Sequence, residues 1–304
     1  MESVQQLAIE VAAEADYGVD PGGGEQLPAL NDAAFWQMAM DTQASQAVGQ
    51  SPRTRPVAFP QADIPVLTLP LVTGRPRAAL FEAAGWRLVG GRWVPSRHGG
   101  SVTVRAYHGG RRWVFGGCRG RWELEARAGE PIVERYALTG RYADPLVRTL
   151  PETTWAPFDP ELACNLRCTI EHARSGLKAV EPGGPAALRG LTLQSGATVQ
   201  LQTAARRDGQ LHAVKITQVE PRWRFTVEDW RGADWQRAWR DQDPWHIGLT
   251  VGATAGAATR YRTCGASAVL VEAPQVTQES GFAFVDLVFG FTGRAEDAIE
   301  AVPQ

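Results

Sequence analysis

Leu138-Thr139-Gly140-Arg141-Tyr142-Ala143-Asp144, in the middle of the chain, is answered near its end by Phe291-Thr292-Gly293-Arg294-Ala295-Glu296-Asp297. The offset is 153 positions (292 minus 139) in a chain of 304 residues. A second echo lies upstream of each. Leu67-Thr68-Leu69 precedes Gly74 and an alanine-rich helical run. Phe225-Thr226-Val227 precedes Gly232 and a tryptophan-rich one, 158 positions further on (226 minus 68). Self-similarity at half the chain length indicates two tandem copies of one fold, because solenoid repeats are far shorter. The length suits two domains of roughly 150 residues, each large enough for its own core. The expected organisation is a first domain over 1–150, a proline-rich linker over 151–160 and a second domain over 161–304.

Within each copy the pattern is mainly β, with one short helix. Trp122 to Arg127 alternates apolar and polar residues, as a half-buried antiparallel strand does. It turns at Ala128-Gly129-Glu130-Pro131 into Ile132 to Thr139. Val102 to Arg105 pairs through His108-Gly109-Gly110 with Trp113 to Phe115. Asp208-Gly209 marks a second-half hairpin between Val199–Ala204 and Leu211–Thr217. Arg77 to Gly85 reads as a helix burying Leu80, Phe81 and Ala84, and Gly232 to Asp241 as one burying Trp235, Ala238 and Trp239. Residues 1–30 read as a leader whose Leu7 to Ala12 is a strand or a short helix. Ile64 to Leu71, with Pro65 and Pro70, reads as an edge strand. The polar stretch Asp41–Pro56 reads as a long mobile loop. Phe282 to Phe289 is apolar on both faces, which suits a core on one side and a neighbouring subunit on the other.

A composition of 44% hydrophobic and 21% charged residues is that of a soluble globular protein. The net charge of −2 disfavours tight nucleic-acid binding, which needs a cationic excess. No signal peptide or 18-residue apolar span is expected. Cys118, Cys164, Cys168 and Cys264 are expected to be reduced: Cys164-x-x-x-Cys168 is not zinc spacing, and on a strand the two lie about 13 Å apart. No nucleophile elbow, His-Glu-x-x-His helix or phosphate loop occurs, and His98, His108, His172, His212 and His246 stand singly. An enzyme is therefore not expected, and no cofactor or metal is implied. The eleven tryptophans carry three readings. Trp86, Trp93, Trp122, Trp235 and Trp239 fit a sandwich core, exposed tryptophans on one face would make a carbohydrate-binding platform, and some would suit anchors at a subunit interface.

In order and spacing the chain resembles the tail tube (major tail) proteins of long-tailed, siphovirus-type bacteriophages. The segments that carry the resemblance are Tyr17-Gly18-Val19-Asp20-Pro21, the helix Arg77 to Trp86, and Ser101 to Tyr107. Gly116-Gly117-Cys118-Arg119-Gly120 and Leu138-Thr139-Gly140-Arg141-Tyr142 complete the series. Cys118 departs from the small residue usual in that turn, and Arg294-Ala295-Glu296 lacks the aromatic that Tyr142 supplies. The resemblance implies a β-sandwich or barrel-like tube domain twice per chain, with trimeric, pseudo-hexameric rings stacked into a hollow conduit for genome ejection. It implies a virion tail protein whose partners are itself, the tape-measure protein, and the tail terminator and tail-tip proteins. Viral DNA would pass through the lumen without specific binding. Tail-tip and baseplate proteins share the fold. Gln43, Gln46, Gln50, Arg53 and Arg55 would then belong to an arm that orders when it meets the next ring.

Overall fold

The structure is a computed structural model. It describes residues 8–27, 37–45, 53–68, 77–108, 110–148, 163, 166–184, 186–203, 211–229, 233–251, 261–279, 281–291 and 299–302. The expected linker, 151–160, lies outside them.

The first half comprises β1 (Ala8–Ala13), β2 (Glu25–Leu27), β3 (Gln37–Ser45), β4 (Arg53–Thr68), α1 (Ala78–Ala83), β5 (Trp86–Val89), β6 (Arg92–Pro95), β7 (Val102–His108), β8 (Arg111–Arg127) and β9 (Val133–Val147). The second comprises β10 (Arg167–His172), β11 (Lys178–Val180), β12 (Leu188–Gln194), β13 (Ala197–Thr203), β14 (Leu211–Val219), β15 (Arg222–Glu228), α2 (Trp235–Arg240), β16 (Trp245–Val251), β17 (Tyr261–Leu270), β18 (Gln275–Glu279), β19 (Phe282–Phe291) and β20 (Ile299–Val302).

Six strands lie in the same order in each half. In the first the order is β2-β1-β7-β8-β9-β4. In the second it is β11-β10-β16-β17-β19-β15. Every one of these pairings is antiparallel, and the described strands do not close into a barrel. The equivalence extends to single residues. β12 bends at Ser195-Gly196 into β13, and β14 bends at Glu220-Pro221 into β15. The β13–β14 hairpin therefore corresponds to the β3–β4 hairpin. Ala197↔Val219 matches Met38↔Ala62, and the register slips just past the next pair in both, after Thr198 and after Ala39. At the bend, Gly196 (φ +59°) is required, since a Cβ there would lie 1.8 Å from the Glu220 carbonyl oxygen.

Two expectations about the first half are corrected. Ala8–Ala13 is the strand of the two forms expected there, but it is no leader: it pairs with β7 over Val102–Tyr107, with Ile9 and Val11 buried. The stretch 41–56 is not one long loop, because Asp41–Ser45 belongs to β3 and Arg53–Pro56 to β4, which pair with each other. Cross-strand backbone bonding orders a polar sequence that has too few apolar side chains to do so by burial. Residues 64–68 pair with β9 alone among the described residues, which leaves room for the missing N–H of Pro65.

Hydrophobic alternation builds the core. Trp122, Leu124 and Ala126 of β8, and Trp223, Phe225 and Val227 of β15, are buried, while Arg222 and Arg224, on either side of Trp223, are exposed. One cluster of buried side chains runs through both halves. The apolar C-terminal part of β19, Leu287 to Phe289, is buried within the chain itself. Helix α1 drives Leu80 and Phe81, both fully buried, into this cluster, and ends at left-handed Gly85 (φ +92°). Helix α2 starts where the Asp234 carboxylate accepts the Arg237 N–H at 2.9 Å, an N-cap that satisfies an orphan donor. It ends at Gln242, whose φ of +51° reproduces the turn made by Gly85.

Candidate assembly interface

The segments singled out in the sequence converge on one place in the first half. A β-bulge interrupts β8 between Gly116 and Arg119, opposite Gly140 of β9. Gly117 there has a φ of +64°, and a Cβ on it would strike the Tyr17 ring at 2.6 Å. The loop after β1 lies on this bulge. The Tyr17 hydroxyl donates to the Gly117 carbonyl at 3.0 Å and accepts the Val214 N–H at 2.6 Å. Burial raises the Tyr17 phenol above its ordinary value, so it keeps the proton it donates. The Glu14 carboxylate accepts from Ser101 Oγ (2.6 Å), Thr103 Oγ1 (2.7 Å) and the backbone N–H of Gly117 (2.7 Å) and Gly18 (2.8 Å). Four donors on one carboxylate fix the loop to the sheet.

Arg105, in the middle of β7, is fully buried, which is tolerable only because it is paired. It bonds Asp20 and lies 3.5 Å from Glu10, whose carboxylate also accepts from the Tyr107 hydroxyl at 3.1 Å. The bond from Arg105 lowers the Asp20 pKa, overcoming the opposing effect of partial burial, and the Gly22 N–H helps. A depressed carboxyl gives stability that is fully present above its unfolded value, near 3.8, and is lost as pH falls through the lower folded value. An Asp20→Asn variant is therefore expected to melt earlier than the wild type at neutral pH. Its Tm should also fall less steeply as the solution is acidified below that value. Equal slopes in thermal melts across the acid range would contradict the pairing.

The same node reaches the second half. Arg119 lies over the Tyr17 ring at 5.1 Å and donates to the Gly99, Gly100 and Val214 carbonyls. A Cβ on Gly85 would meet Ala197 at 3.1 Å and Val219 at 3.3 Å, so the β13–β14 hairpin rests on the shoulder after α1. Just beside it, β12 pairs with the edge of β8, Gly190↔Arg127 through Gln194↔Glu123. Ser195 extends this joint: its N–H donates to the Trp122 carbonyl and its hydroxyl accepts the Trp122 N–H, both at 3.0 Å. The two halves thus form one continuous antiparallel sheet, joined edge to edge through β12. The corresponding edge of the second half is β18. Among the described residues β18 pairs with β19 alone, and all five of its residues are exposed.

Of the residues expected in the arm, Gln43 stands opposite Arg55, and Arg53 opposite Ser45, in the β3–β4 hairpin. Gln46 and Gln50 lie outside the described residues. The importance of Tyr17 and Arg119 as a bridge between halves was not read from the sequence, although their motifs were, and Glu14, which fixes the loop, lies outside those motifs. Trp86, Trp93, Trp122 and Trp235 are buried and Trp239 packs partly buried against the core; no tryptophan is exposed among the described residues. The sugar-stacking face therefore has no support there. Cys118 and Cys168 are buried free thiols, with burial raising both above the ordinary range, Cys168 to about 12. A groove of about 810 Å³ follows the joint. Of its carboxylates, Glu125 pairs with Arg127 and Arg135, Glu279 pairs with Arg189, and Asp286 accepts from Thr226. No cluster of His, Cys, Asp or Glu suited to a metal occurs among the described residues, and no helix there is long and apolar enough to cross a membrane.

No family model and no curated protein matches the sequence. Among solved structures the chain is similar to the SPP1 tail tube, determined by solid-state NMR and cryo-EM. The identity is 11%, over 48% of this chain and 80% of that one, with a TM-score of 0.31.

Proposed function

We propose that this chain is a non-enzymatic structural subunit of a bacteriophage tail tube, assembling with copies of itself into trimeric, pseudo-hexameric rings that stack around a hollow conduit for the genome. One observation carries the reading: the duplicated sheet whose halves are already joined edge to edge, with β18, at the corresponding edge of the second half, pairing among the described residues with β19 alone. A protein built so is a segment of something larger, because an unprotected edge invites a further strand. The ordered series of motifs in the sequence points the same way. Its partners would be other copies, the tape-measure protein, and the terminator and tail-tip proteins, and its place the virion. DNA would pass without specific binding, in keeping with the net charge of −2.

Negative-stain electron microscopy of the purified protein tests this directly. Rings or hollow tubes of uniform width with six-fold end views are the expected images, and monodisperse monomers at every concentration would refute self-assembly. The β3–β4 hairpin is assigned the ring-to-ring contact. Deleting residues 43–50 is expected to leave a folded protein, judged by circular dichroism and thermal melting, that forms rings but no long tubes. Tubes of normal length from that variant would remove the hairpin from stacking.

A further inference from the structure

We propose that the cavity between β8, β10, β11 and β12 is a binding site for one small uncharged apolar molecule, of the size and class of a monocyclic aromatic hydrocarbon. The inference goes beyond the tube reading and does not depend on it.

The cavity has a volume of about 420 Å³ and lies beside the joint of the two halves. Ala126 enters its wall from β8, Cys168 from β10, Val180 from β11 and Leu191 from β12, and Leu166 and Ala186 add to the lining. All of these but Leu166 are buried. The duplication shows where the space comes from. Ile9 stands opposite Ala106, two residues beyond Val104, where the β7–β8 register slips. Cys168 stands opposite Leu249, two residues beyond Ile247, where the β16–β17 register slips. Cys168 is therefore the counterpart of Ile9, which is buried beside Leu27 of β2. Counted the same way from the pair Ile170↔Val180, the counterpart of Leu27 falls at Pro182. There the chain has left β11 for a turn, closed by the Gly184 N–H on the Glu181 carbonyl at 2.9 Å. A thiol and a turn thus stand where the first half packs two aliphatic side chains, and the second half keeps a hollow. The walls select the occupant. The two charged residues of the lining are committed elsewhere, Glu181 to Lys178 and Arg189 to Glu279. A charged guest would lose its hydration without compensation. The buried side chains of the wall are alkyl groups and one thiol, which burial keeps protonated. They offer water few partners and an apolar guest many dispersion contacts, and the volume is within the usual range for ligand pockets. Because Ala126 belongs to one half and the other walls to the second, an occupant binds the joined form and stabilises it.

Toluene is the probe, and benzoate its charged analogue. In thermal melts of the full chain, Tm is expected to climb with the logarithm of toluene concentration and to stay unchanged with benzoate. Titration calorimetry gives the affinities. Cys168→Ile puts back the side chain that the first half carries. It is expected to melt at or above the wild-type temperature and to bind toluene about tenfold or more weakly. Ala186→Val narrows the cavity from another wall and is expected to weaken toluene in the same sense, so the test does not hang on the folding of one variant. The proposal is overturned if the wild type does not bind toluene, or binds benzoate as tightly. It is overturned equally if the folded variants bind toluene as tightly as the wild type, since the guest would then lie elsewhere. None of these results bears on whether the chain assembles, so the tube reading is judged separately by microscopy.

Discussion

Replacing Phe81 by alanine lowers the stability of the protein by about 3–5 kcal/mol, the usual range for a fully buried phenylalanine. The size follows from its surroundings. The ring is fully buried, with Trp122 at 5.2 Å, Trp93 at 5.5 Å, Trp86 at 5.6 Å and Tyr136 at 6.4 Å between centroids, tilted or edge-on. Such pairs add about 0.5–1.5 kcal/mol each beyond the apolar area they bury. The surrounding rings cannot all collapse into the space, because two of them are held elsewhere: Trp122 Nε1 and the Tyr136 hydroxyl both donate to buried Glu134 at 2.7 Å. A cavity therefore remains, and it lies where α1 meets β8. Against a total stability of about 5–15 kcal/mol for a typical domain the first half becomes marginal. Phe81→Leu should recover more than half of the loss. Urea denaturation gives both values, and a loss under about 1 kcal/mol for the alanine variant would show that the aromatic cage is not what holds the helix.

Gly140→Ala is expected to cost about 1–3 kcal/mol, and Cys118→Ala in the same chain to return much of it. Gly140 is the glycine of the Leu138-Thr139-Gly140 echo that first revealed the duplication. A Cβ there would lie 2.3 Å from Cys118 Sγ, far inside contact distance, because the β8 bulge turns Cys118 towards β9. Cys118 is fully buried and its thiol donates to the Phe115 carbonyl at 3.2 Å, so it cannot swing away without losing its place. The coupling expected from a double-mutant cycle is about 0.5–3 kcal/mol in the favourable direction. Additive losses would mean that Gly140 is needed for its backbone and not for the space beside the thiol. The expectation also explains the echo physically: the motif marks the point where a bulged strand and its neighbour come closest.

Both helices were legible in the sequence, since Leu80 with Phe81 and Trp235 with Ala238 fall at helical spacing and nothing long-range competes with it. The alternation of Trp122 to Arg127 likewise gave its strand. What failed was the polar stretch 41–56. Composition reports what a segment can bury, and the β3–β4 hairpin is ordered by cross-strand backbone bonds that composition does not register. The bulge at Gly116–Arg119 was read as a turn between two strands, because a one-residue slip and a break share the same glycines. The joint of β12 on β8 left no local trace at all. Gly190 and Arg127 are far apart in the chain, and antiparallel register between distant strands is set by side-chain layers that only the folded core brings together. Of the candidate interface, the motif residues were visible as a series, but that they form a single node under Tyr17, with Val214 of the other half bonded to it, needed three dimensions.

The edge of β8 has a history in time as well as a place in space. Residues 123–127 leave the ribosome well before residues 190–194 that cover them. At synthesis rates of about 5–20 residues per second, the first half waits several seconds with that edge bare. During that interval neighbouring nascent chains on one message present the same bare edge to each other. Carrying the second copy on the same polypeptide delivers the cover at a high local concentration and always in the right orientation. Duplication therefore shortens the hazardous interval of biosynthesis.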